Sequence, residues 1–470
     1  MTDTVSGTLY VDLDGTLMQS DALVESVFAL LRSNPLMAFL LPAWLLKGRA
    51  HLKREIARRV DIDTADLPWT PDFLEYLRGC QAAGRRLVLI TASDQKYADA
   101  VADHLGLFDG AIGSDGVTNL AGERKLDRIL GDSAGADFDY AGNSGKDLEI
   151  WPRANEAIVV NAFPRVLGKA RATSNVARVF SPATGLAAKI FRAARLHQWL
   201  KNLLLFVPLV LSHRLMEGTL FVQTLAGFVS FGLCASAVYL LNDLLDLHHD
   251  RRHPTKRNRM IASGVLPLDL AAKLVPVLLI GSVLIGLALP PAFLLVLAVY
   301  AVTTSAYSLR FKRVAVLDVL LLSGLYTIRL LAGGAAAGVY VSYWLLLFSL
   351  FFFLSLALLK RYTEINTLDA VPGRGYETGD DRILNQFGTA SGYIAVLVLA
   401  FYINSDQIRV QYQWPEAIWL LCPVTLFWVT RAWLLAHRGQ MHEDPVMFAA
   451  GDRVSYFLIL LSLVILWVAA

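Results

Sequence analysis

The chain has 470 residues, of which 55% are hydrophobic, and its mean hydropathy is +0.48. This apolarity excludes an ordinary soluble protein and indicates many membrane spans. The formal net charge is only +3, and we expect no nucleic-acid partner. The three cysteines lie far apart and suggest neither a disulfide framework nor a zinc site.

Residues 1–170 carry charges throughout and predict a mixed α/β domain. The segment "LYVDLDGTLMQSD" reads as a strand followed by Asp12 and Asp14, which point the same way. A second apolar strand in "RRLVLITAS" ends at Thr91, and Lys125 follows in "GERKLDRIL". The segment "FDYAGNSGKDLEIW" adds further polar side chains at 143–147.

These four blocks, in this order, resemble the motifs of the haloacid dehalogenase superfamily, which has a Rossmann-like fold. The resemblance implies that Asp12 is the nucleophile that attacks phosphorus and that Asp14 is the general acid. It implies that Thr91 orients the phosphoryl group and that Lys125 offsets the negative charges. The implied Mg²⁺ ligands are Asp12, Asp14, Asn143 and Asp147.

One position departs from the family pattern. The last motif more often reads G-D-x-x-x-D, and here Asn143 replaces the first acid while Asp147 keeps the second. An amide oxygen can still bind a metal ion, but the lost charge is expected to lower the affinity. An active phosphatase is the favoured hypothesis, and a degenerate domain kept for packing or regulation is the alternative.

An insertion at about 18–70 occupies the position of the family's cap. It contains "NPLMAFLLPAWLLKGRAHLKREIARR", whose apolar part, about fifteen residues, is too short to span a bilayer. We expect the cap to dip into the inner leaflet or to dock on the membrane bundle, and a buried cap helix is the alternative. The basic residues expected to face anionic lipid are Arg49, Lys53, Arg54, Arg58 and Arg59.

The linker 171–195 ends in the basic amphipathic segment "GLAAKIFRAARLHQWLK", which we expect to lie along the membrane surface. Residues 196–470 then predict an all-α membrane domain. The nine candidate spans are 197–213, 219–241, 267–289, 291–308, 315–338, 341–360, 386–404, 415–436 and 454–469.

Basic residues collect in the loops 242–266, 309–314, 361–385 and 437–453. Positive charge favours the cytoplasmic side, so we predict an inner-membrane protein whose amino-terminal domain is cytoplasmic.

The segment "LNDLLDLHHDRRHPTKRNR", residues 241–259, follows the second predicted span. If the helix continues, Asn242, Asp243, Asp246 and Asp250 share one face. Such oxygen ligands suit Mg²⁺, and the cations that follow could grip phosphate oxygens. The alternative, a solvated basic loop, does not explain carboxylates at helical spacing.

Other polar residues lie at the ends or in the middle of apolar segments. Arg329 is the clearest, because an arginine at mid-span should face protein or water rather than lipid. For Lys360 and Arg361 the alternative is snorkelling at the interface. The full set of predicted substrate-binding residues is Lys201, Asn202, Tyr239, Arg251, His253, Lys256, Arg259, Arg329, Lys360 and Arg361. Asp318 is predicted as an additional metal ligand.

The segment "NDLLDLHHD" matches the NDxxDxxxD signature of the UbiA superfamily of intramembrane prenyltransferases, which form a nine-helix bundle. "RLHQWLKNLLLFVPL", "LDVLLLSGLYTIRLLAGGAAAG" and "LLKRYTEI" resemble its phosphoribosyltransferase branch. The second acidic motif of the aromatic prenyltransferases is reduced here to Asp318, which argues against a prenyl diphosphate donor.

The resemblance implies a Mg²⁺-dependent transfer of 5-phosphoribose from phosphoribosyl diphosphate to a polyprenyl phosphate in the membrane. Asp243 and Asp246 would be central to this reaction. The phosphatase-like domain would then remove the 5-phosphate. The alternatives are a prenyl diphosphate donor with a non-catalytic or regulatory first domain, and a transporter, which is disfavoured because the acids cluster at one membrane face.

Overall fold

The computed structural model describes residues 7–181, 185–253, 256–367, 375–377, 379–441 and 444–470. The predicted loops 242–266, 361–385 and 437–453 therefore lie partly outside the described residues. The chain forms two compact units. The first comprises Met1–Ala194 and Asp243–Val275, and the second comprises Arg195–Asn242 and Pro276–Ala470.

A six-stranded parallel sheet is the centre of the first unit, which confirms the predicted α/β domain. Its strands are β1 (Thr8–Val11), β2 (Leu87–Asp94), β3 (Gly110–Ser114), β4 (Phe138–Gly142), β5 (Ala157–Val160) and β6 (Val176–Phe180). The order β3-β2-β1-β4-β5-β6 places β1 between β2 and β4. The chain order reverses at β1, so the carboxyl ends of these three strands form the crevice where such sheets bind ligands.

Helices cover both faces of this sheet, and for this reason its strands read as continuous apolar runs. Leu9 and Val11 belong to the core on one face with Phe73, whereas Tyr10 belongs to the core on the other face with Trp151. The helices are α1 (Ala22–Ser33), α2 (Leu41–Leu46), α3 (Arg49–Ala57), α4 (Pro71–Ala82), α5 (Gln95–Leu105), α6 (Glu123–Asp132), α7 (Pro164–Thr173) and α8 (Leu186–Ala193). Short 3₁₀ helices are Pro35–Phe39, Thr64–Asp66, Asp147–Glu149 and Trp151–Arg153.

The acidic motif lies where a long helix ends. Helix α10 (Gly218–Leu245) stops one residue before Asp246, whose φ of −89° and ψ of 6° leave the helical region. Helix α11 (Leu247–Arg252) starts immediately afterwards and carries Asp250. The condition under which the acidic residues would share one face, a helix that continues through the motif, is therefore not met. The 3₁₀ helix Lys256–Asn258 and helix α12 (Leu268–Gly286) follow.

The second unit is helical, as predicted. It begins with a 3₁₀ helix, Leu196–Phe206, that continues as α9 (Val207–Leu211). The remaining helices are α13 (Pro291–Leu309), α14 (Leu317–Ala337), α15 (Tyr343–Thr367), α16 (Asp381–Ile403), α17 (Asp406–Gln411), α18 (Pro415–Ile418), α19 (Leu421–His437), α20 (Pro445–Ala449) and α21 (Arg453–Ala469). A further 3₁₀ helix is Phe311–Arg313.

Seven helices within the described residues are long and apolar enough to cross a membrane. Two of the nine predicted spans correspond to shorter apolar helices, Leu196–Leu211 and Arg453–Ala469. The predicted nine-helix count is therefore not confirmed. The helix at the start of the unit includes 3₁₀ geometry over 11 residues, an uncommon length.

Small residues in α14 let the 3₁₀ helix approach closely. A Cβ atom at Gly333 would lie 1.9 Å from the carbonyl oxygen of Leu205, so only glycine is accommodated there. Small residues serve the same purpose at other helix contacts in membranes. This contact sets α14 against the helix that carries Lys201 and Asn202.

Candidate active sites

The carboxyl end of β1 brings together a buried network of charged and polar groups. The Lys125 ammonium donates to Asp12 Oδ1 at 2.7 Å and to the Tyr140 hydroxyl at 3.1 Å. Tyr140 in turn donates to Asp147 Oδ1 at 2.8 Å. Strand β1 supplies Asp12, helix α6 supplies Lys125 and strand β4 supplies Tyr140. The predicted nucleophile and its cation therefore lie in direct contact.

The second acid of the motif is held by the ends of two elements. Asp14 Oδ1 accepts the backbone N–H of Ala22, the first residue of α1, at 2.7 Å. Asp14 Oδ2 accepts the hydroxyl of Ser93 at 2.8 Å and that of Thr91 at 3.3 Å. The pairing of β2 with β3 shifts register between Ile90 and Asp94, and this irregularity lies where Thr91 and Ser93 occur.

The loop after β4 is organised by Asp147 rather than by Asn143. Asp147 Oδ2 accepts the backbone N–H groups of Asn143 and Ser144 at 3.0 and 2.8 Å, and the Ser144 hydroxyl at 2.9 Å. The Asn143 side chain lies against Gly15, where a Cβ atom would be 2.0 Å from Asn143 Nδ2. The two predicted metal ligands thus differ in position, since Asn143 is adjacent to the Asp12–Asp14 segment and Asp147 braces the loop.

Electrostatics at this site favour a cation. The net pKa of the Asp12 carboxyl is raised to about 7. Burial is the largest cause, the Lys125 ammonium opposes it, and the Asp147 and Asp14 carboxylates add to it. Burial lowers the pKa of Lys125, but the Asp12 and Asp147 carboxylates outweigh it, so the net pKa is above its ordinary value. A divalent ion would offset the remaining negative charge, and the oxygen ligands of Asp12, Asp14 and Asn143 fit Mg²⁺ chemically.

The cap contributes Lys53 to this site, although the sequence predicted that Lys53 faces lipid. Lys53 on α3 was expected at a lipid surface, but its ammonium donates to the carbonyl of Ala92 at 2.5 Å and to Asn119 Oδ1 at 2.9 Å. Burial lowers its pKa, whereas the Asp14 and Asp21 carboxylates raise it, so Lys53 faces the phosphatase-like site. Arg54, also expected at lipid, pairs with Asp94 at 3.1 Å.

The carboxylates at the end of α10 converge on one guanidinium. Arg259 Nη1 donates to Asp243 Oδ1 at 3.1 Å and to Asp250 Oδ2 at 2.6 Å. The pKa of the Asp250 carboxyl is raised overall. Burial raises it most, the Arg259 guanidinium partly offsets this, and the Asp243 carboxylate raises it further. Two acids that share one cation indicate a position where Mg²⁺ fits. Within the described part of the chain, no three acidic, histidine or cysteine side chains are already gathered as a metal site.

The other predicted cations of this segment have different surroundings. Arg251 was predicted to bind phosphate, but its guanidinium forms a buried, bidentate ion pair with Glu25 of α1. His253 and Lys256 flank residues outside the described ranges, and the Lys256 N–H contacts His253 Nδ1 at 3.4 Å. A phosphate-binding role for His253 and Lys256 stays a prediction. In the second unit, Asn242 Nδ2 donates to the Ser308 hydroxyl at 2.8 Å.

Two predicted substrate-binding lysines of the second unit meet at one carboxylate. Lys201 and Lys360 both donate to Asp444 Oδ2, at 2.9 and 3.0 Å. Lys201 also lies over the ring of Tyr326, 5.5 Å from its centroid. Burial raises the pKa of Asp444, but the ammonium groups of Lys360 and Lys201 hold it well below its usual range. Among the described residues, these two ammonium groups and the one carboxylate that they share carry a net positive charge.

Arg329 is buried beside this cluster and is caged by aromatic rings. Its guanidinium lies 5.3 Å from the ring centroids of Phe231 and Tyr300 and 5.5 Å from that of Tyr326. Arg329 Nε donates to Asn202 Oδ1 at 3.0 Å. Among the described residues, Asn202 Nδ2 is buried and has no hydrogen-bond partner. A buried donor of this kind is costly unless a ligand supplies an acceptor.

Asp318 and Arg361 form a separate structural node. Asp318 is fully buried and accepts from Arg361 Nε at 2.7 Å and from the Tyr376 hydroxyl at 2.5 Å. Arg361 also contacts Glu364 and Tyr307. These contacts occupy both groups within the protein, and they favour a structural role over the predicted metal and phosphate roles. Tyr239, a further predicted binding residue, is covered by the Arg195 guanidinium at 5.2 Å.

Sequence reasoning missed several of these participants. Ser93 and Tyr140 lie within the quoted motif segments but were given no role, and Glu25 and Asp444 belong to no motif in the sequence. Asp444 is 243 residues from Lys201, and Glu25 is 226 residues from Arg251. No local spacing could have joined such pairs, although a carboxylate had to be expected near each buried cation.

Comparison with protein families gives two matches. A model described as the UbiA prenyltransferase family matches residues 203–449, and one described as haloacid dehalogenase-like hydrolase matches residues 9–150. Among solved structures, a UbiA homolog from Archaeoglobus fulgidus bound to GPP and Mg²⁺ covers 59% of this chain and 99% of its own, with 16% identity and a TM-score of 0.47. Phosphoserine phosphatase in its apo form covers 37% and 94%, with 13% identity and a TM-score of 0.28.

Proteins of known sequence match this chain over different lengths. An uncharacterized protein of Sinorhizobium fredii, y4nM, is 39% identical over 459 residues, which are 96% of this chain and 88% of that protein. Nodulation protein NoeC of Azorhizobium caulinodans is 37% identical over 57% of this chain and 89% of its own length. Decaprenyl-phosphate phosphoribosyltransferase of Mycolicibacterium smegmatis is 39% identical over 188 residues, which are 39% of this chain and 59% of that protein.

The cluster of Lys201, Lys360 and Asp444 predicts a stability effect that an anion should reverse. Asp444→Asn leaves two ammonium groups close together without a carboxylate, and we expect a loss of about 1–3 kcal/mol in the free energy of unfolding. Thermal unfolding of the full chain in detergent measures this loss. Pyrophosphate, without metal, should raise the melting temperature of Asp444→Asn more than that of the unmodified protein.

Asp452→Asn is the matched control for this measurement. Asp452 pairs with Arg431 at 2.7 Å and caps α21, so its loss should also destabilise the protein. Pyrophosphate should not favour Asp452→Asn over the unmodified protein. Equal pyrophosphate shifts for all three proteins would contradict an anion site at Lys201 and Lys360.

Proposed function

We propose, since the chain belongs to the UbiA prenyltransferase family, that it transfers 5-phosphoribose from phosphoribosyl diphosphate to a polyprenyl phosphate. The observation that carries this proposal is a cluster of basic side chains in the second unit. Lys201 and Lys360 share the carboxylate of Asp444, and Arg329 is buried beside them. The buried Asn202 amide lacks an acceptor among the described residues. The mycobacterial relatives are named decaprenyl-phosphate phosphoribosyltransferases, which supports transfer of phosphoribose to a polyprenyl phosphate.

The acidic motif would hold Mg²⁺ through Asn242, Asp243, Asp246 and Asp250. When bound there, Mg²⁺ would offset the negative charge of diphosphate as it leaves. Arg259 contacts Asp243 and Asp250 and would be released towards a phosphate once the metal binds. To bind the metal ion, the carboxylates of the acidic motif need to be held in the right orientation by surrounding residues.

The residues of the second unit would bind the remaining phosphates. Lys201, Lys360 and Arg329 would hold the 5-phosphate of ribose and the phosphate of the lipid, with Asn202 donating to one of these oxygens. The lipid phosphate is anionic at neutral pH and needs no strong base. Its oxygen forms the new bond to ribose C1 as the bond from C1 to diphosphate breaks. Direct attack would invert the configuration at C1.

A prenyl diphosphate donor is the second candidate, supported by the match to the UbiA prenyltransferase family. The pairing of Asp318 with Arg361 and Tyr376 speaks against this donor. The region expected to carry a second acidic motif offers this aspartate alone, and protein groups already engage it.

The first unit would then act as a phosphatase on the lipid-linked product. Asp12 would attack the phosphorus of the 5-phosphate, and Lys125 would offset the charge of the two anions. The bond from phosphorus to ribose O5 breaks, and Asp14 would give its proton to O5. Water would then attack the phosphoaspartate, with Asp14 taking its proton, and inorganic phosphate leaves. Linking the two activities in one chain raises the effective concentration of the intermediate.

The surface of the cap supports a lipid substrate. In the segment 36–46, Leu36, Phe39 and Leu46 are 71%, 81% and 89% exposed. A contiguous apolar surface of this kind is unusual unless something covers it. Lys47 and Arg49 are exposed beside it and would face anionic lipid headgroups. We propose that this cap face lies on the inner-membrane surface, with the first unit in the cytoplasm.

The first prediction concerns transfer. Full-length protein in proteoliposomes should convert phosphoribosyl diphosphate and polyprenyl phosphate to a lipid-linked phosphoribose, detected by mass spectrometry. Asp243→Asn and Asp246→Asn should reduce the rate by about 100-fold or more, because charge stabilisation at the leaving group is lost. The matched control Asp269→Asn removes an exposed carboxylate that pairs with Lys273, and it should leave the rate unchanged. Product from a prenyl diphosphate instead would support the alternative donor.

The second prediction concerns the phosphatase. Asp12→Asn should accumulate lipid-linked phosphoribose and yield no dephosphorylated product. With Asp12 intact, the rate should fall about tenfold per pH unit below about 7, because the nucleophile must be ionised and its pKa is about 7. Higher Mg²⁺ concentrations should move this fall to lower pH, because a bound cation favours the carboxylate. Hydrolysis that persists in Asp12→Asn would contradict the assignment.

The third prediction concerns the cap. The triple variant Leu36→Ser, Phe39→Ser and Leu46→Ser should slow hydrolysis of the lipid-linked phosphate at least about tenfold, because burial of these side chains in lipid would be lost. Hydrolysis of p-nitrophenyl phosphate, which needs no membrane contact, should be unchanged and serves as the internal control. Equal rates on the lipid-linked substrate would show that the face is covered by something other than lipid.

A further inference from the structure

The first unit contains a buried ion pair that joins the phosphatase-like domain to the acidic motif. Arg251 Nη1 and Nη2 donate to the two carboxylate oxygens of Glu25, at 3.1 and 2.6 Å. The side chains are only 5% and 1% exposed. Arg251 Nε donates to the carbonyl of Ala262 at 3.1 Å, so each guanidinium nitrogen has an acceptor.

Two further contacts reinforce the same junction. Arg252 donates to Asp66 at 2.6 Å and contacts Asp63, both in the cap. Gly264 has a φ of +75°, and a Cβ atom there would lie 2.8 Å from Pro68 Cβ and 2.9 Å from Gln19 Cβ. The loop after α11 therefore lies against the start and the end of the cap insertion.

The ion pair lies within one helical turn of residues that belong to each candidate site. On one side, Glu25 is in the first turn of α1, whose first N–H group, on Ala22, is bound by Asp14. On the other side, Arg251 follows Asp250, whose carboxylate shares Arg259 with Asp243. A continuous series of hydrogen bonds and helical turns thus joins Asp14 to Asp243.

Breaking such a pair has consequences beyond the two residues. A buried bidentate ion pair fixes geometry, and removal of one partner leaves an uncompensated buried charge. Outer residues that hold metal ligands in place typically change metal affinity when they are mutated. Since α11 has only six residues, the buried pair of Arg251 with Glu25 is a substantial part of what ties its position to the sheet-containing domain.

We propose that Glu25 is a positioning residue for the acidic motif. Through Arg251 it fixes α11, and with it the orientation of Asp250 towards Asp243. A residue of the phosphatase-like domain thereby sets the metal affinity of the transferase motif. The inference rests on the proposed role of the motif in binding Mg²⁺.

The test measures metal binding directly in the full chain. Mn²⁺ serves as the probe, and its binding is followed by electron paramagnetic resonance in an Asp12→Asn background, which suppresses binding at the phosphatase site. Glu25→Gln should weaken Mn²⁺ binding by about 10–100-fold. Asp269→Asn is the matched control, because its partner Lys273 is 73% exposed and such pairs contribute little. Unchanged binding in a monodisperse Glu25→Gln protein overturns the proposal.

Arg251→Lys separates positioning from charge. Lysine keeps the positive charge and loses the bidentate geometry, so a positioning role requires weaker Mn²⁺ binding in this variant as well. If only Glu25→Gln weakens binding, the effect is electrostatic repulsion by the unpaired Arg251, and the positioning role is overturned.

The same samples distinguish this inference from the proposed reaction. Asp243→Asn must abolish the Mn²⁺ signal; if it does not, the motif binds no metal and the inference fails. If Mn²⁺ binds as expected but phosphoribosyl diphosphate yields no lipid product, the proposed donor is wrong while Glu25 keeps its positioning role.

Discussion

A cation buried away from water must be matched by a carboxylate, a hydrogen-bond acceptor or an aromatic face, and both units are arranged around this requirement. In the first unit Lys125 is matched by Asp12, and Arg251 by Glu25. In the second unit Arg329 is enclosed by three aromatic rings and the Asn202 oxygen. These matches bring distant segments together and determine which polar groups remain available for a ligand.

Local patterns predicted the parts of the fold that depend on burial. The strand before Asp12 and the strand before Thr91 read as apolar runs because helices cover both faces of the sheet. The break at Asp246 was not predictable, because helical spacing of the acids is the same for a continuous and an interrupted helix. The 3₁₀ geometry of Leu196–Phe206 was missed for a similar reason, since an apolar run does not distinguish a 3₁₀ helix from an α-helix.

The candidate sites likewise contain some residues that local patterns predicted and others that they did not. Asp12 and Asp14 could be predicted together because they are two positions apart along one strand direction. Lys201 and Arg329 could be predicted as functional because cations inside apolar segments need a reason. Their partners could not be assigned, since Asp444 lies far along the chain and short-range spacing carries no information about it. Arg251 was assigned to a phosphate because its buried acceptor, Glu25, belongs to a different domain of the sequence.

The Asn202 amide, which has no hydrogen-bond acceptor among the described residues, has a consequence for selectivity. A site with a desolvated hydrogen-bond donor discriminates against molecules that lack a hydrogen-bond acceptor at that position. A ligand without a suitably placed oxygen leaves the donor stranded, and sites of this kind reject such analogues by factors of about 10⁴–10⁵. Hydrocarbon chains, which are abundant in a bilayer, would therefore be poor competitors at this position, and the choice of ligand would be enforced by exclusion as much as by attraction.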